Sequence, residues 1–168
     1  RPAGAVTLEC RVGPVSVYRS PGGLPILVRR RPGAPLVHLG LYATGGAVAE
    51  PDAIAGVGTI MVRTSLKGTA RRDAREIANA SELLGGSIGT SVTDDGMGWT
   101  FSVPTSRWSE ALELLQDVVQ APLFPEDAVE TERAIALTQI AQLRDDMFRY
   151  PVRLASEAAY GTHPYGRS

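Results

Sequence analysis

Two tight-turn signals constrain this chain most. Pro21-Gly22-Gly23 separates Val15-Ser16-Val17-Tyr18 from Ile26-Leu27-Val28-Arg29, and Asp94-Asp95-Gly96 separates residues 87–93 from 97–103. Strand-forming runs on either side of a glycine-bearing turn read as β-hairpins. Residues 36–43, with a largely apolar face, read as a further strand. Between and after the hairpins the period changes. Residues 53–66 read as a helix with Asp52 as its N-cap. Residues 73–84 carry Ile77, Ala80, Leu83 and Leu84 at helical spacing, and Gly85 stops them. Amphipathic helices are expected over 108–119 and 127–147, with a shorter one over 152–160. The pattern predicts an α+β fold: a mostly antiparallel sheet with helices packed on one face, a two-layer sandwich.

Length and charge narrow the function classes. A chain of 168 residues is read as one domain, 1–168, able to bury about two-thirds of its unfolded surface. Seventeen Lys and Arg against eighteen Asp and Glu leave a net charge of −1, which argues against a nucleic-acid partner. The longest basic run, Arg29-Arg30-Arg31, ends a strand before Pro32-Gly33 and reads as a solvated turn. No apolar run approaches the roughly 18 residues of a membrane span. A single cysteine, Cys10, can form no internal disulfide and leaves the redox compartment open. The chain opens at Arg1 without a signal peptide. An exported, periplasmic protein whose signal has been removed would read the same way.

Few residues here can do chemistry. The two histidines, His38 in an apolar strand and His163 before a proline, lie far apart, and no spacing of metal-ligand type joins them to Cys10. Gly85-Gly86-Ser87-Ile88-Gly89 matches G-x-S-x-G literally. A hydrolase nucleophile elbow needs strand before and helix after, and here the order is reversed. Gly56-Val57-Gly58 lacks the third glycine of a dinucleotide fingerprint.

Residues 56–69, Gly-Val-Gly-Thr-Ile-Met-Val-Arg-Thr-Ser-Leu-Lys-Gly-Thr, resemble the metal-binding helix of the pitrilysin/insulinase-like peptidases, the inverzincins. There a glycine opens a helix bearing H-x-x-E-H that runs out into Lys-Gly-Thr. The likeness continues through Tyr42-Ala43-Thr44-Gly45-Gly46-Ala47 with Glu50-Pro51, residues 78–86, Pro122-Leu123-Phe124-Pro125, Glu132-Arg133 and His163-Pro164-Tyr165-Gly166. It spans roughly residues 15–168. It departs at Gly89-Thr90, where the family has Asn-Ala. On this frame the first histidine falls on Thr59, the catalytic glutamate on Val62 and the second histidine on Arg63. The third ligand, a glutamate seven positions after an acidic residue, falls on Gln139, seven after Glu132.

Two imidazoles and carboxylates are needed to hold zinc and activate its water. A hydroxyl, an isopropyl group, a guanidinium and an amide supply none of them. The resemblance therefore implies a pseudo-peptidase with no cofactor, no catalytic residues and no metal ligands. It implies an incomplete N-terminal domain of the family, pairing as a heterodimer with a catalytically active zinc-peptidase homologue and helping to bind substrate peptide. The edge strand of Ser87, Ile88, Gly89, Thr90 and Ser91 is the candidate peptide-binding element, by main-chain addition. The alternative reading is a freestanding peptide- or protein-binding module on the same fold.

Overall fold

The Pro21-Gly22-Gly23 turn closes because Gly23 takes a φ of 84° and donates its N–H to the Ser20 carbonyl at 2.9 Å. It joins β2 (Val15–Arg19) to β3 (Pro25–Arg29), while β1 (Thr7–Val12) pairs with the other side of β2. The order β1-β2-β3 is antiparallel throughout. The computed structural model describes residues 4–166. This meander belongs to the first of two compact units, which ends at Pro35. The arginines at 29–31 are exposed at the end of β3 and in the loop beyond it.

The second unit begins at Leu36. Its sheet has β4 (Leu36–Thr44), β5 (Ile88–Val92) and β6 (Gly96–Pro104) in the order β4-β6-β5. Both pairings are antiparallel, with Leu41 opposite Trp99 and Thr90 on the far side of the same residue. The second hairpin thus forms where its turn signal placed it. Alternation sets the faces: Val37, Leu39 and Leu41 of β4 are half-buried, and Trp99, Phe101 and Val103 of β6 are buried. Helices α1 (Val57–Thr64) and α3 (Trp108–Gln120) pack on this sheet, and α2 (Ala74–Leu83) packs on α3. One core cluster joins Val62, Ile77, Trp99, Leu115 and Val118; a second joins Leu84, Phe101, Val103, Ala111 and Leu114. Helix α4 (Glu126–Leu143) packs on α1, and α5 (Arg149–Tyr160) follows. The fold is α+β, with antiparallel strands in two three-stranded sheets and helices layered on the second.

Two boundaries differ from expectation for local reasons. Asp52 does not cap a helix over 53–66. It opens a 3₁₀ turn, Asp52–Ile54, and the chain then breaks at Gly56, whose φ is 93°, before α1 starts at Val57. The helix expected over 127–147 ends at Leu143, because Asp146 caps the next one. Its Oδ1 accepts the N–H of Phe148 at 2.9 Å and of Arg149 at 2.8 Å. Those bonds hold the Asp146 carboxyl below its usual range. Pro151 then sits in the first turn of α5, where a missing N–H costs nothing.

The candidate degenerate metal site

Helix α1 is held at its N-terminus by a carboxylate. Glu50, 8% exposed, accepts the N–H of Gly56 through Oε2 at 2.5 Å and that of Gly58 through Oε1 at 2.7 Å. Negative charge there answers both the orphan donors and the helix dipole. A Cβ at 58 would stand 2.6 Å from Glu50 Oε1, so any side chain there would displace the capping carboxylate. At the other end Ser65 accepts the indole N–H of Trp99 at 2.9 Å and donates to the Val62 carbonyl at 2.8 Å. The helix is therefore pinned at both ends, which fixes the faces of Thr59, Val62 and Arg63.

The four positions of the frame go to different surroundings. Arg63 and Gln139 meet: both terminal nitrogens of the guanidinium donate to Gln139 Oε1, at 3.3 Å each. Glu132, on α4 and 8% exposed, lies beside them, 3.9 Å from Arg63 Nη1. Its other oxygen lies 3.2 Å from Lys67 Nζ, an ion pair. Seven residues are close to two helical turns, so Glu132 and Gln139 share one face of α4, the face that packs on α1. Thr59, half-buried and one turn before Arg63, takes no part in this cluster. Val62 is 2% exposed and belongs to the core with Ile77, Trp99, Leu115 and Val118. One position before Arg63, the helical turn carries it into the apolar layer.

This donor set does not fit zinc. A guanidinium has no lone pair to give and repels a cation, and a buried valine coordinates nothing. Among the described residues no three His, Cys, Asp or Glu side chains converge as a metal site. His38 is exposed on β4 with Nδ1 2.8 Å from Ser102 Oγ, and Cys10 is exposed in the first unit. His163 accepts the Tyr165 N–H at 3.2 Å.

The candidate peptide strand is placed next to α1. β5 pairs with β6 alone among the described residues, so it is an edge, and α1 packs against it. Ser87 immediately precedes the strand; Ile88 and Thr90 are half-buried while Gly89 and Ser91 face out. The segment Gly85-Gly86-Ser87 links the end of α2 to β5, with Gly85 at a φ of 94°. It is a helix-to-strand turn.

Three features escaped the sequence reading. Lys67 shares Glu132 with Arg63, and its spacing of four from Arg63 was the available clue. Asp117, 4% exposed, accepts from Arg71 Nε at 2.9 Å, Arg72 Nη1 at 2.5 Å and Thr69 Oγ1 at 3.1 Å. Burial raises its pKa, but the bonds from Arg71, Arg72 and Thr69 outweigh that and hold the carboxyl below its ordinary value. Tyr165, of the His-Pro-Tyr-Gly run, donates to Asp95 Oδ1 at 2.7 Å and stacks edge-on with His163 at 4.8 Å. The bond to Asp95 pushes its phenol pKa up.

Comparison with known proteins finds the same family. The family model described as Insulinase (Peptidase family M16) matches residues 26–168. An uncharacterized zinc protease of Mycobacterium leprae is 29% identical over 147 residues, 88% of this chain and 33% of its own length. A probable mitochondrial-processing peptidase subunit alpha-2 of Arabidopsis thaliana is 25% identical over 140 residues, 83% of this chain and 28% of its own. The chain thus spans about a third of the curated relatives it matches. Among solved structures, the peptidase M16 inactive domain from Pseudomonas fluorescens superposes with a TM-score of 0.81 at 24% identity, over 90% of this chain and 37% of that one. Pitrilysin superposes at 0.76 with 21% identity, over 90% and 16%.

Proposed function

This chain belongs to the insulinase family, peptidase family M16, and we propose that it is a non-catalytic member that works beside an active homologue and helps to hold substrate peptide. The observation that carries the reading is the hydrogen-bonded pair between Arg63 and Gln139. Two positions that would share a metal in an active relative instead hold each other, across the two helices that would supply the ligands. The structural relative named an inactive domain and the relative named a subunit support the same direction. Peptide binding rests on β5: main-chain pairing at an edge strand needs open N–H and C=O groups and no metal.

The test has three parts. Purified chain is expected to carry no stoichiometric zinc by elemental analysis and to cleave no peptide library; one zinc per chain, with a peptidase activity lost on chelation, overturns the non-catalytic reading. Co-expression with a homologue bearing an intact H-x-x-E-H motif is expected to give a co-purifying pair of one-to-one mass; two separate monomers favour the freestanding module. Neighbouring residues in a strand turn their N–H groups to opposite sides. One of Gly89→Pro and Thr90→Pro is therefore expected to remove an edge donor and weaken peptide binding without unfolding the sheet. If neither folded variant changes affinity, β5 has no such role.

A further inference from the structure

Resting on the peptide-holding reading above, we propose that Arg63 is a carboxylate receptor, so that the peptides this protein holds are selected for an acidic group. The charges carry the argument. Arg63 and Lys67 are two cations around the single carboxylate of Glu132, and Gln139 contributes none, so the cluster keeps one positive charge in excess. Glu132 is engaged chiefly by Lys67 at 3.2 Å; Arg63, at 3.9 Å, is beyond hydrogen-bonding distance of it. The two bonds Arg63 does make run to one neutral amide oxygen, at 3.3 Å each, long for such contacts. A guanidinium carries five donors in a planar fork shaped for a carboxylate. Its side chain is 33% exposed and can be reached.

The surroundings suit a peptide. A shallow trough of about 520 Å³ runs along α4, lined by Thr131, Ala134, Ile135, Thr138, Gln139 and Gln142. Gln139 is both one wall of the trough and the hydrogen-bond partner of Arg63. No charged side chain lines it, and Ile135 offers an apolar floor that is 41% exposed. The trough therefore takes an apolar or small side chain, and the guanidinium bonded to its Gln139 wall takes a carboxylate from the same segment.

The probes are three dye-labelled octapeptide pools, randomised among uncharged residues except at a central position: Glu with an amidated C-terminus, Gln with an amidated C-terminus, and Gln with a free C-terminus. Fluorescence anisotropy is expected to show one acidic pool binding about tenfold more tightly than the neutral one, since a charge-assisted, bidentate bond is about twice as strong as a neutral one. The advantage should shrink as salt rises. Which acidic pool gains tells whether a side chain or a chain terminus supplies the carboxylate. Arg63→Gln should erase the preference. Gln139→Glu should erase it too, because an internal carboxylate then occupies the guanidinium while the fold is kept. Equal binding of all pools, or a preference that survives Arg63→Gln, overturns the carboxylate receptor and leaves peptide holding in place. Failure of every pool to bind overturns both.

Discussion

Replacing Val62 by glutamate introduces the residue type that the inverzincin resemblance assigns to that position, and the structure sets what the change costs. The side chain is 2% exposed and packs with Ile77, Trp99, Leu115 and Val118. Losing its apolar burial removes about 2 kcal/mol. A carboxyl placed in that layer has its pKa raised, by up to about 3–5 units for a fully buried group, at about 1.36 kcal/mol per unit. Taking about 3 units, the charge adds about 4 kcal/mol of penalty at pH 7. The total of about 6 kcal/mol compares with the 5–15 kcal/mol that holds a typical domain together. The sign follows from the direction of the shift. The folded pKa lies above the unfolded value of about 4.3, so the ionic penalty is small below that pH and grows as pH rises toward the folded value. Urea unfolding of Val62→Glu should show a loss of about 2 kcal/mol at pH 4 and about 6 kcal/mol at pH 7. A loss under about 2 kcal/mol at pH 7, or one that does not change between the two pH values, would refute the placement of Val62 in the core. The consequence for the site is direct. Thr59→His, Arg63→His and Gln139→Glu together should give a folded chain that binds one zinc by calorimetry. Omitting Gln139→Glu should lose most of that affinity, since two ligands on one helix hold the metal weakly. Adding Val62→Glu should cost the apo-protein stability that zinc only partly restores.

Two further outcomes are expected elsewhere in the second unit. Asp117→Asn should lower stability by about 2–3 kcal/mol at pH 7, because a buried carboxylate with charged donors is lost and the exposed side of Arg71 recovers some solvation. Its depressed pKa makes the contribution full above the unfolded value near 3.9 and lost as pH falls through the lower folded value, so parent and variant should converge in acid; a gap unchanged from pH 7 to pH 2.5 by urea titration would exclude this. Gly58→Ala should lower the thermal midpoint although alanine favours helix, because its Cβ would stand 2.6 Å from Glu50 Oε1 and break the cap; a raised midpoint would count against the capping role.

The sequence was legible where the determinants are local. Pro21-Gly22-Gly23 and Asp94-Asp95-Gly96 carry their own turn chemistry, and both hairpins form around them. Asp73 and Glu76 form a reciprocal capping box, so the start of α2 lies where residues 73–84 were read. The start of α1 was not legible. Its cap is the side chain of Glu50, reaching over a 3₁₀ turn to Gly56 and Gly58, and no scan of adjacent residues shows that. The same limit applies within the site. Helical spacing puts Thr59, Val62 and Arg63 near one another on α1, but which side meets the sheet depends on Trp99, from elsewhere in the chain, which bonds Ser65 at the end of the helix. The seven-residue step from Glu132 to Gln139 was enough to place both on one face of α4. Lys67 stood in plain view and needed the fold to acquire a role.

The replacements at the degenerate site are coupled through charge. The inverzincin resemblance implies, for an active member, a dication with carboxylates at the positions of Val62 and Gln139 and an acidic residue at that of Glu132. Removing the metal alone would leave those carboxylates packed together, and like charges at close range force their pKa values up. This chain has a neutral amide at 139, an apolar side chain at 62 and a fixed cation at 63, which together remove negative charge and supply positive charge where the metal would have done so. Glu132, still buried, keeps Lys67 and has Arg63 in reach. Arg63→His alone would therefore weaken the compensation of Glu132 without building a metal site, and Gln139→Glu alone would neutralise the guanidinium. The cluster keeps one positive charge in excess, and on the proposed reading a peptide carboxylate would balance it without any change in the fold.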